Sequence, residues 1–254
     1  MPENSKLLKW ANIIAFISMV LVNALAGSTT LLGGKNTAEI SNANLTLITP
    51  AGYVFSIWGV IYFLLGVFVI FQALPSENEK KYQGKIGWLF VFSSVINIIW
   101  LFLWQFELLA FSVVLMFLLL ACLILIYLRL DIGKSKVGLP EKLVVHLPFS
   151  TYLGWITIAS IANVSVTLVS LEWDGFGISQ LTWATVIVVI ALLIAILVIV
   201  TRKDIAYGLV IIWAFVGIAA GQSGNQSIVT LTQASAIIVF IALFLSILIS
   251  KVRR

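Results

Sequence analysis

Charge is scarce in this chain, and the scarcity is ordered. Only 10% of the 254 residues are Asp, Glu, Lys or Arg, and they fall in short clusters between long neutral runs. A single cysteine, Cys122, excludes a disulfide framework and a thiolate metal site. A single histidine, His146, lies near one end of a neutral run, where it reads as a helix-end residue rather than a metal ligand, since the runs offer no carboxylates to join it. No glycine-rich nucleotide loop and no Ser/His/Asp arrangement occurs, so the sequence nominates neither catalytic nor metal-binding residues.

What is present is hydrophobic length. Uncharged stretches cover Trp10–Gly34, Ile40–Ser76, Ile86–Phe106, Leu108–Leu128, Leu143–Leu171, Gly175–Thr201 and Ile205–Ser250. A bilayer core of roughly 30 Å takes about 20 apolar helical residues to cross, and each run is long enough. The last run has 46 residues. As one helix it would measure roughly 69 Å, too long for a bilayer. The polar, turn-forming Gly221-Gln-Ser-Gly-Asn-Gln-Ser227 divides it in two. The expectation is an all-α polytopic membrane bundle of about eight transmembrane helices, near 10–32, 50–73, 86–106, 108–129, 143–171, 181–201, 205–221 and 228–250.

Eight spans segregate the cations. With a cytoplasmic N-terminus, fourteen of the fifteen Lys and Arg residues, from Lys6 through Lys80 to Arg253 and Arg254, fall on the cytoplasmic side, and only Lys35 falls outside. Acidic residues divide six to four, the asymmetry expected when Lys and Arg set orientation. Both termini are therefore expected in the cytoplasm of a multi-pass cell-membrane protein. The formal charge of +5 reflects topology and anionic lipid heads, not nucleic acid. The first span has a rival reading as a signal peptide ending at Ala24-Leu-Ala26, but its apolar run continues to Leu32, long enough to remain as a helix.

The nine tryptophans sort by depth. Trp10, Trp88, Trp104, Trp173 and Trp183 lie near span ends and read as the interfacial belt. Trp58, Trp100, Trp155 and Trp213 lie deeper. Phe55, Trp58 and Tyr62 share one face of span two; Asn97, Trp100 and Trp104 share one of span three; Tyr152, Trp155, Ala159 and Asn163 share one of span five. Trp58, Trp100 and Asn163 fall about 9–12 Å below one membrane surface and Asn97 about 14 Å. Aromatic walls with a few orienting amides suit a cavity for a flat, largely apolar ligand. The same stripes also suit plain packing, with Asn as interhelical glue.

At these residues the chain resembles the TspO/MBR family, the tryptophan-rich sensory and translocator proteins. The resemblance rests on three blocks. Pro50-Ala-Gly52-Tyr53-Val54-Phe55 runs into Trp58-x-x-x-Tyr62, Asn97-x-x-Trp100 follows on span three, and Pro148 precedes Tyr152-x-x-Trp155, Ala159 and Asn163 on span five. The chain departs from the family pattern at Ala51 and Tyr53, and at Val166 and Thr167, where a further Trp is expected. The resemblance implies a five-helix TspO-like domain over 1–174, with 175–254 as a three-helix extension. It implies a pocket that binds porphyrin or heme as ligand, with no resident cofactor, and a covering loop, here Gly33–Thr49. Homodimers are common in the family. The expected ligand-binding residues are Phe55, Trp58, Tyr62, Asn97, Trp100, Tyr152, Trp155 and Asn163, with Pro50, Gly52 and Pro148 as structural motif residues.

Three functions compete. A receptor or sensor binding a planar hydrophobic ligand, such as a porphyrin or another tetrapyrrole, needs only stacking and hydrogen bonds. A transporter would carry such a ligand without ion coupling, because no ionisable Asp, Glu, Lys or Arg lies mid-span. An enzyme modifying the porphyrin would need a positioned acid or base, and only Tyr62 and Tyr152 offer themselves. The topology is tested by cysteine labelling in a Cys122→Ser background. Lys35→Cys should react with a membrane-impermeant maleimide applied to intact cells and Lys134→Cys should not; the reverse pattern would invert the orientation.

Overall fold

The computed structural model describes residues 3–74 and 81–252; Lys80, Arg253 and Arg254 of the charge analysis lie outside them. No strand occurs among the described residues. Eight long helices follow in order: α1 Glu3–Ser28, α2 Ile57–Ala73, α3 Leu89–Gln105, α4 Leu109–Leu130, α5 Leu147–Ser170, α6 Gln180–Arg202, α7 Ile205–Gly221 and α8 Gln226–Val252. Six of the apolar segments reach a length and hydropathy sufficient to cross a membrane, and α3 and α7 are shorter apolar helices. At 17 residues each, these two measure about 25 Å and sit at the lower limit for a span. The eight expected spans are thus matched in number and order, including the break after Gly221.

The departures are at the ends. α2 does not begin at Pro50; a turn of 3-10 helix, Gly52–Ser56, leads into it, and the two together form an apolar segment of 22 residues. Upstream of α5, the backbone widens over Lys142–His146 into a π-type turn in which Leu147 N–H donates to the Lys142 carbonyl. The cause is Pro148. It has no N–H to give the Val144 carbonyl, and its ring would clash there; the wider turn relieves both. The loop after α1 holds a short helix the sequence reading did not foresee, Thr37–Ala43. Asn36 Oδ1 accepts from the N–H groups of Ala38 and Glu39, and Glu39 Oε2 accepts from Asn36 N–H at 2.8 Å, a reciprocal capping box.

The chain divides into two compact units. The first comprises Met1–Ile40 and Trp58–Leu153, the second Ser41–Ile57 and Gly154–Arg254. α5 contributes its first turns to one and the remainder to the other.

In the first unit α1 turns Asn12, Ala15, Met19, Asn23 and Ala26 inward, a repeat of three and four residues that keeps one face in register. Leu7, Trp10, Ile14, Ile17, Leu21 and Leu25 point away. Polar and small residues inside with large aliphatics outside is the pattern of a helix whose outer solvent is lipid. The polar residues are used. Asn12 Nδ2 donates to Gln72 Oε1 at 2.9 Å, Asn23 Nδ2 to Asn97 Oδ1 at 2.7 Å, and Gln105 Nε2 to the Ala26 carbonyl at 3.1 Å. These bonds tie α1 to α2 near one end and to α3 at its middle and far end. A segment so bonded is packed into the unit along its length. Phe68, Phe90 and Phe149 fill the remaining core with mutual edge-to-face contacts at 5.1–6.1 Å. Lys35 Nζ meets Glu107 Oε1 at 2.6 Å, both about 45% exposed; such a pair contributes at most about 1 kcal/mol.

In the second unit α6 packs through Ala184, Val188, Ala191, Ala195 and Ile199. Asp204 caps the next helix by accepting from Tyr207 N–H at 3.2 Å, across a sharp turn in which Lys203 adopts a left-handed φ of 55°. α7 is buried on most sides and does two jobs. Its Gly208 lets Leu243 of α8 approach closely, and its Tyr207 hydroxyl donates to Thr157 of α5 at 3.2 Å. Its other end grips the segment that precedes α2. Ala51 N–H donates to the Gly217 carbonyl at 2.9 Å, Trp213 Nε1 to the Val54 carbonyl at 3.1 Å, and Gln222 Nε2 to the carbonyls of Thr46 and Thr49 at 3.1 and 2.9 Å. Glycine is required at both contact points. A Cβ on Gly217 would overlap Val54, and one on Gly221 would lie 2.6–2.8 Å from the backbone of Thr49–Ala51. Gly208 meets a helix, Gly217 the Val54 side chain of the 3-10 turn, and Gly221 the loop before that turn.

Gly221→Ala and Gly217→Ala should each lower unfolding stability by about 1–3 kcal/mol, the cost of overpacking a tight contact. Gly224→Ala, where nothing lies within 4 Å, should be close to neutral. Mixed-micelle unfolding curves compare the three; equal midpoints would remove the tight contact.

Candidate ligand-binding site

Of the eight expected ligand-binding residues, Trp58, Tyr62, Asn97, Trp100 and Tyr152 lie in the first unit and Phe55, Trp155 and Asn163 in the second. Within the first unit the structure draws four of the five together. Trp58, at the start of α2, stacks on Tyr62 one turn later, with ring centroids 5.5 Å apart and planes 20° from parallel. The edge of Tyr152, on α5, meets Trp58 at 6.0 Å and 69°. Asn97 of α3 sits beside the Tyr152 hydroxyl. Asn23 of α1, bonded to Asn97, completes the group.

Asn97 is fully buried at the centre of the 17-residue α3, about 12 Å from either helix end. Its carbonyl oxygen is occupied by Asn23, whose Nδ2 is also bonded to the Met19 carbonyl. Its Nδ2 has no partner, and neither has the hydroxyl of Tyr62 or of Tyr152. Proximity of the Asn97 amide to the Tyr152 hydroxyl therefore falls short of a well-formed hydrogen bond. A buried polar group left unpaired costs about 1–3 kcal/mol, and native proteins leave few of them. Further unpartnered polar atoms in this unit lie on Gln72 and Gln105, within one residue of a helix end, on Tyr82, outside the long helices, and on Asn12, six residues into its span, whose amide nitrogen is bonded to Gln72. Headgroups and water reach helix ends. Around Trp58 three such atoms cluster at mid-helix, where lipid supplies nothing to bond them.

Trp100 is buried against Trp104, with centroids 5.8 Å apart and planes at 32°. Trp104 departs from its expected place in the interfacial belt. It is 5% exposed, and its Nε1 donates to the Thr37 carbonyl at 3.3 Å, holding the start of the short helix after α1. Trp10 and Trp88, at 65% and 46% exposure, face outward as a belt requires.

In the second unit Phe55 and Trp155 meet edge to face at 6.1 Å and 86°. Asn163 is buried, and its Nδ2 approaches Thr167 Oγ1, one turn on along its own helix, at 3.5 Å. Of the motif residues, Pro50 and Gly52 flank Ala51, which α7 holds through Gly217, and Pro148 sets the π-type turn before α5. Two contributors escaped the sequence reading. Asn23 lies eleven residues, three full turns, after Asn12, so the two amides share a face that spacing alone could have revealed. Trp213, a deep tryptophan outside the three stripes, touches Tyr53 edge to face at 5.4 Å and donates to the Val54 carbonyl. It supports the aromatic motif from behind.

Among the described residues no group of three or more His, Cys, Asp or Glu could hold a metal ion. The arrangement offers neutral chemistry: indole and phenol faces for stacking, one amide donor, and two hydroxyls able to donate or accept.

No curated protein and no solved structure gives a significant match to the chain. A family model described as TSPO-like protein matches residues 9–249, taking in α6–α8 as well as the helices that carry the three sequence blocks. With its aromatic and amide blocks in the family's order and almost its whole length matched, the chain belongs to the TspO/MBR family of integral membrane proteins.

Proposed function

We propose that this membrane protein is a receptor or sensor for a planar hydrophobic ligand, a porphyrin or other tetrapyrrole, and that it binds its ligand without chemically changing it. The observation that carries the reading is the cluster of unpartnered polar atoms on Tyr62, Asn97 and Tyr152 around the Trp58 indole. A flat ring with polar groups at its edge satisfies both halves of that arrangement. Its face stacks on indole and phenol, and its edge takes up the amide and hydroxyl bonds that the helices leave open. Trp100 belongs to the same proposed set in the first unit, and Phe55, Trp155 and Asn163 are proposed ligand-binding residues of the second. In this reading residues 1–174 form the ligand-binding domain and 175–254 an extension that braces it, both termini are cytoplasmic, and the protein can pair as a homodimer.

Recognition through neutral groups suits a ligand that partitions into the bilayer. Binding then gains from stacking and from relief of buried, unsatisfied polarity, each worth on the order of 1 kcal/mol per contact. Titrating protoporphyrin IX into the purified protein should quench tryptophan fluorescence saturably. The Trp58→Ala, Trp100→Ala double variant should bind at least tenfold more weakly, and Tyr152→Phe, which removes one orphan hydroxyl, should bind several-fold more weakly while unfolding no earlier than wild type. Unchanged affinity in both variants would remove the pocket.

A further inference from the structure

The second unit contains a separate cavity of about 320 Å³ between the end of α5, the start of α6 and the loop residues Leu45–Ile48. None of the eight residues assigned above lines it. Its walls are aliphatic, from residues such as Ile48, Leu168 and Ile187, with the indoles of Trp173 and Trp183 at one end. That volume is at the small end of ligand sites, with room for an alkyl chain or a compact ring system but not for a whole lipid.

The indole end of the cavity is built with care. Trp173 and Trp183 lie with centroids 5.2 Å apart and planes at 53°, and Trp183 Nε1 donates to the Gly175 carbonyl at 3.0 Å. The turn that positions them, Gly175-Phe176-Gly177, has three consecutive positive φ values of 70°, 55° and 74°. For a phenylalanine that is an unfavourable backbone, one usually kept only where surrounding structure enforces it. Here the enforcement comes from Asp174, whose Oδ1 accepts from Phe176 N–H at 3.0 Å, and from Phe176 itself, set edge-on against Trp173 at 5.3 Å.

Charge selects the occupant. Asp174 is the one ionisable group in the cavity lining, and it is solvent-exposed at the mouth. From Gly154 to Thr201 the charged residues are Glu172 and Asp174, both acidic, and Ser41–Ile57 contains none. An anionic head would meet a carboxylate and no cation. A positive head would meet a carboxylate and two indole rings, the pairing that binds ammonium groups. We infer that this cavity binds a cationic amphiphile, its apolar body between α5 and α6 and its ammonium head at Asp174, Trp173 and Trp183.

The test uses full-length protein in dodecyl maltoside micelles, whose sugar heads carry no ammonium, and a brominated alkyltrimethylammonium as probe, with tryptophan quenching as readout. Saturable quenching is expected, and the brominated alkyl sulfate of equal chain length should give none. Asp174→Asn keeps the oxygen that caps the turn but removes the charge, and should weaken the ammonium titration about tenfold. Ala184→Phe projects a ring into the cavity and should abolish saturation while leaving protoporphyrin quenching intact, which separates this site from the aromatic cluster of the first unit. If adding phosphatidylethanolamine shifts the ammonium titration to higher concentration, the natural head comes from a bilayer lipid; if it does not, the ligand is a free amphiphile. Equal saturation by sulfate and ammonium, an unchanged titration in Asp174→Asn, or no saturation with either probe would overturn the inference.

Discussion

Lipid gives a buried amide no alternative partner, and that constraint organises the first compact unit. Asn12 and Asn23, well inside α1, would each be costly facing hydrocarbon, so that helix turns their face inward and bonds them to Gln72 and Asn97, and at the end of α3 Gln105 bonds the Ala26 carbonyl. Such bonds are worth on the order of 0.6 kcal/mol each in membranes, so their role is to set rotation and register more than to add stability. Once Asn23 occupies the Asn97 oxygen, the Asn97 amide points its remaining donor toward the α2–α5 side, where Trp58, Tyr62 and Tyr152 gather. The polar atoms left over there give the ligand reading its force.

The second unit solves a different problem. The motif segment before α2 carries Tyr53, Val54 and Phe55 in a 3-10 turn, and a turn of that kind has few bonds of its own. α7 supplies them. Gly217 makes room for the Val54 side chain and Gly221 for the Thr49–Ala51 backbone, Gln222 bonds two carbonyls of the preceding loop, and Trp213 bonds a third while packing on Tyr53. A helix outside the three that bear the family's aromatic blocks thus holds one of those blocks in shape. This accords with a family match that extends through α8. It also explains why Gly217 and Gly221 are glycine: Gly217 makes room for the branched Val54 side chain, and Gly221 faces the Thr49–Ala51 main chain, which cannot move aside as a side chain can.

Much of this was legible in the chain because charge is so informative in a membrane protein. The number and order of spans followed from where Lys and Arg are missing, and the break at Gly221–Ser227 from its turn residues. The aromatic stripes placed Trp58, Tyr62, Asn97 and Tyr152 on faces that do meet. What was not legible depended on contacts remote in sequence. Trp104 sits where a belt residue would, yet a carbonyl 67 residues away takes its indole N–H. Nothing local distinguishes Gly217 from any glycine of a membrane helix until Val54 is seen against it. Other features were present but unread: the Asn12/Asn23 face, the Asn36-x-x-Glu39 capping box, and Pro148 as a reason for an irregular turn before α5.

The central claim is that the mid-membrane polar atoms of Tyr62, Asn97 and Tyr152 are completed by a bound planar ligand. A structure determined in nanodiscs after loading with protoporphyrin IX tests it most directly. The account predicts ring density stacked along Trp58, with ligand atoms about 3 Å from Asn97 Nδ2 and from at least one of the two tyrosine hydroxyls. Density elsewhere, with Asn97 and Tyr152 closed into a hydrogen bond on each other, would contradict it.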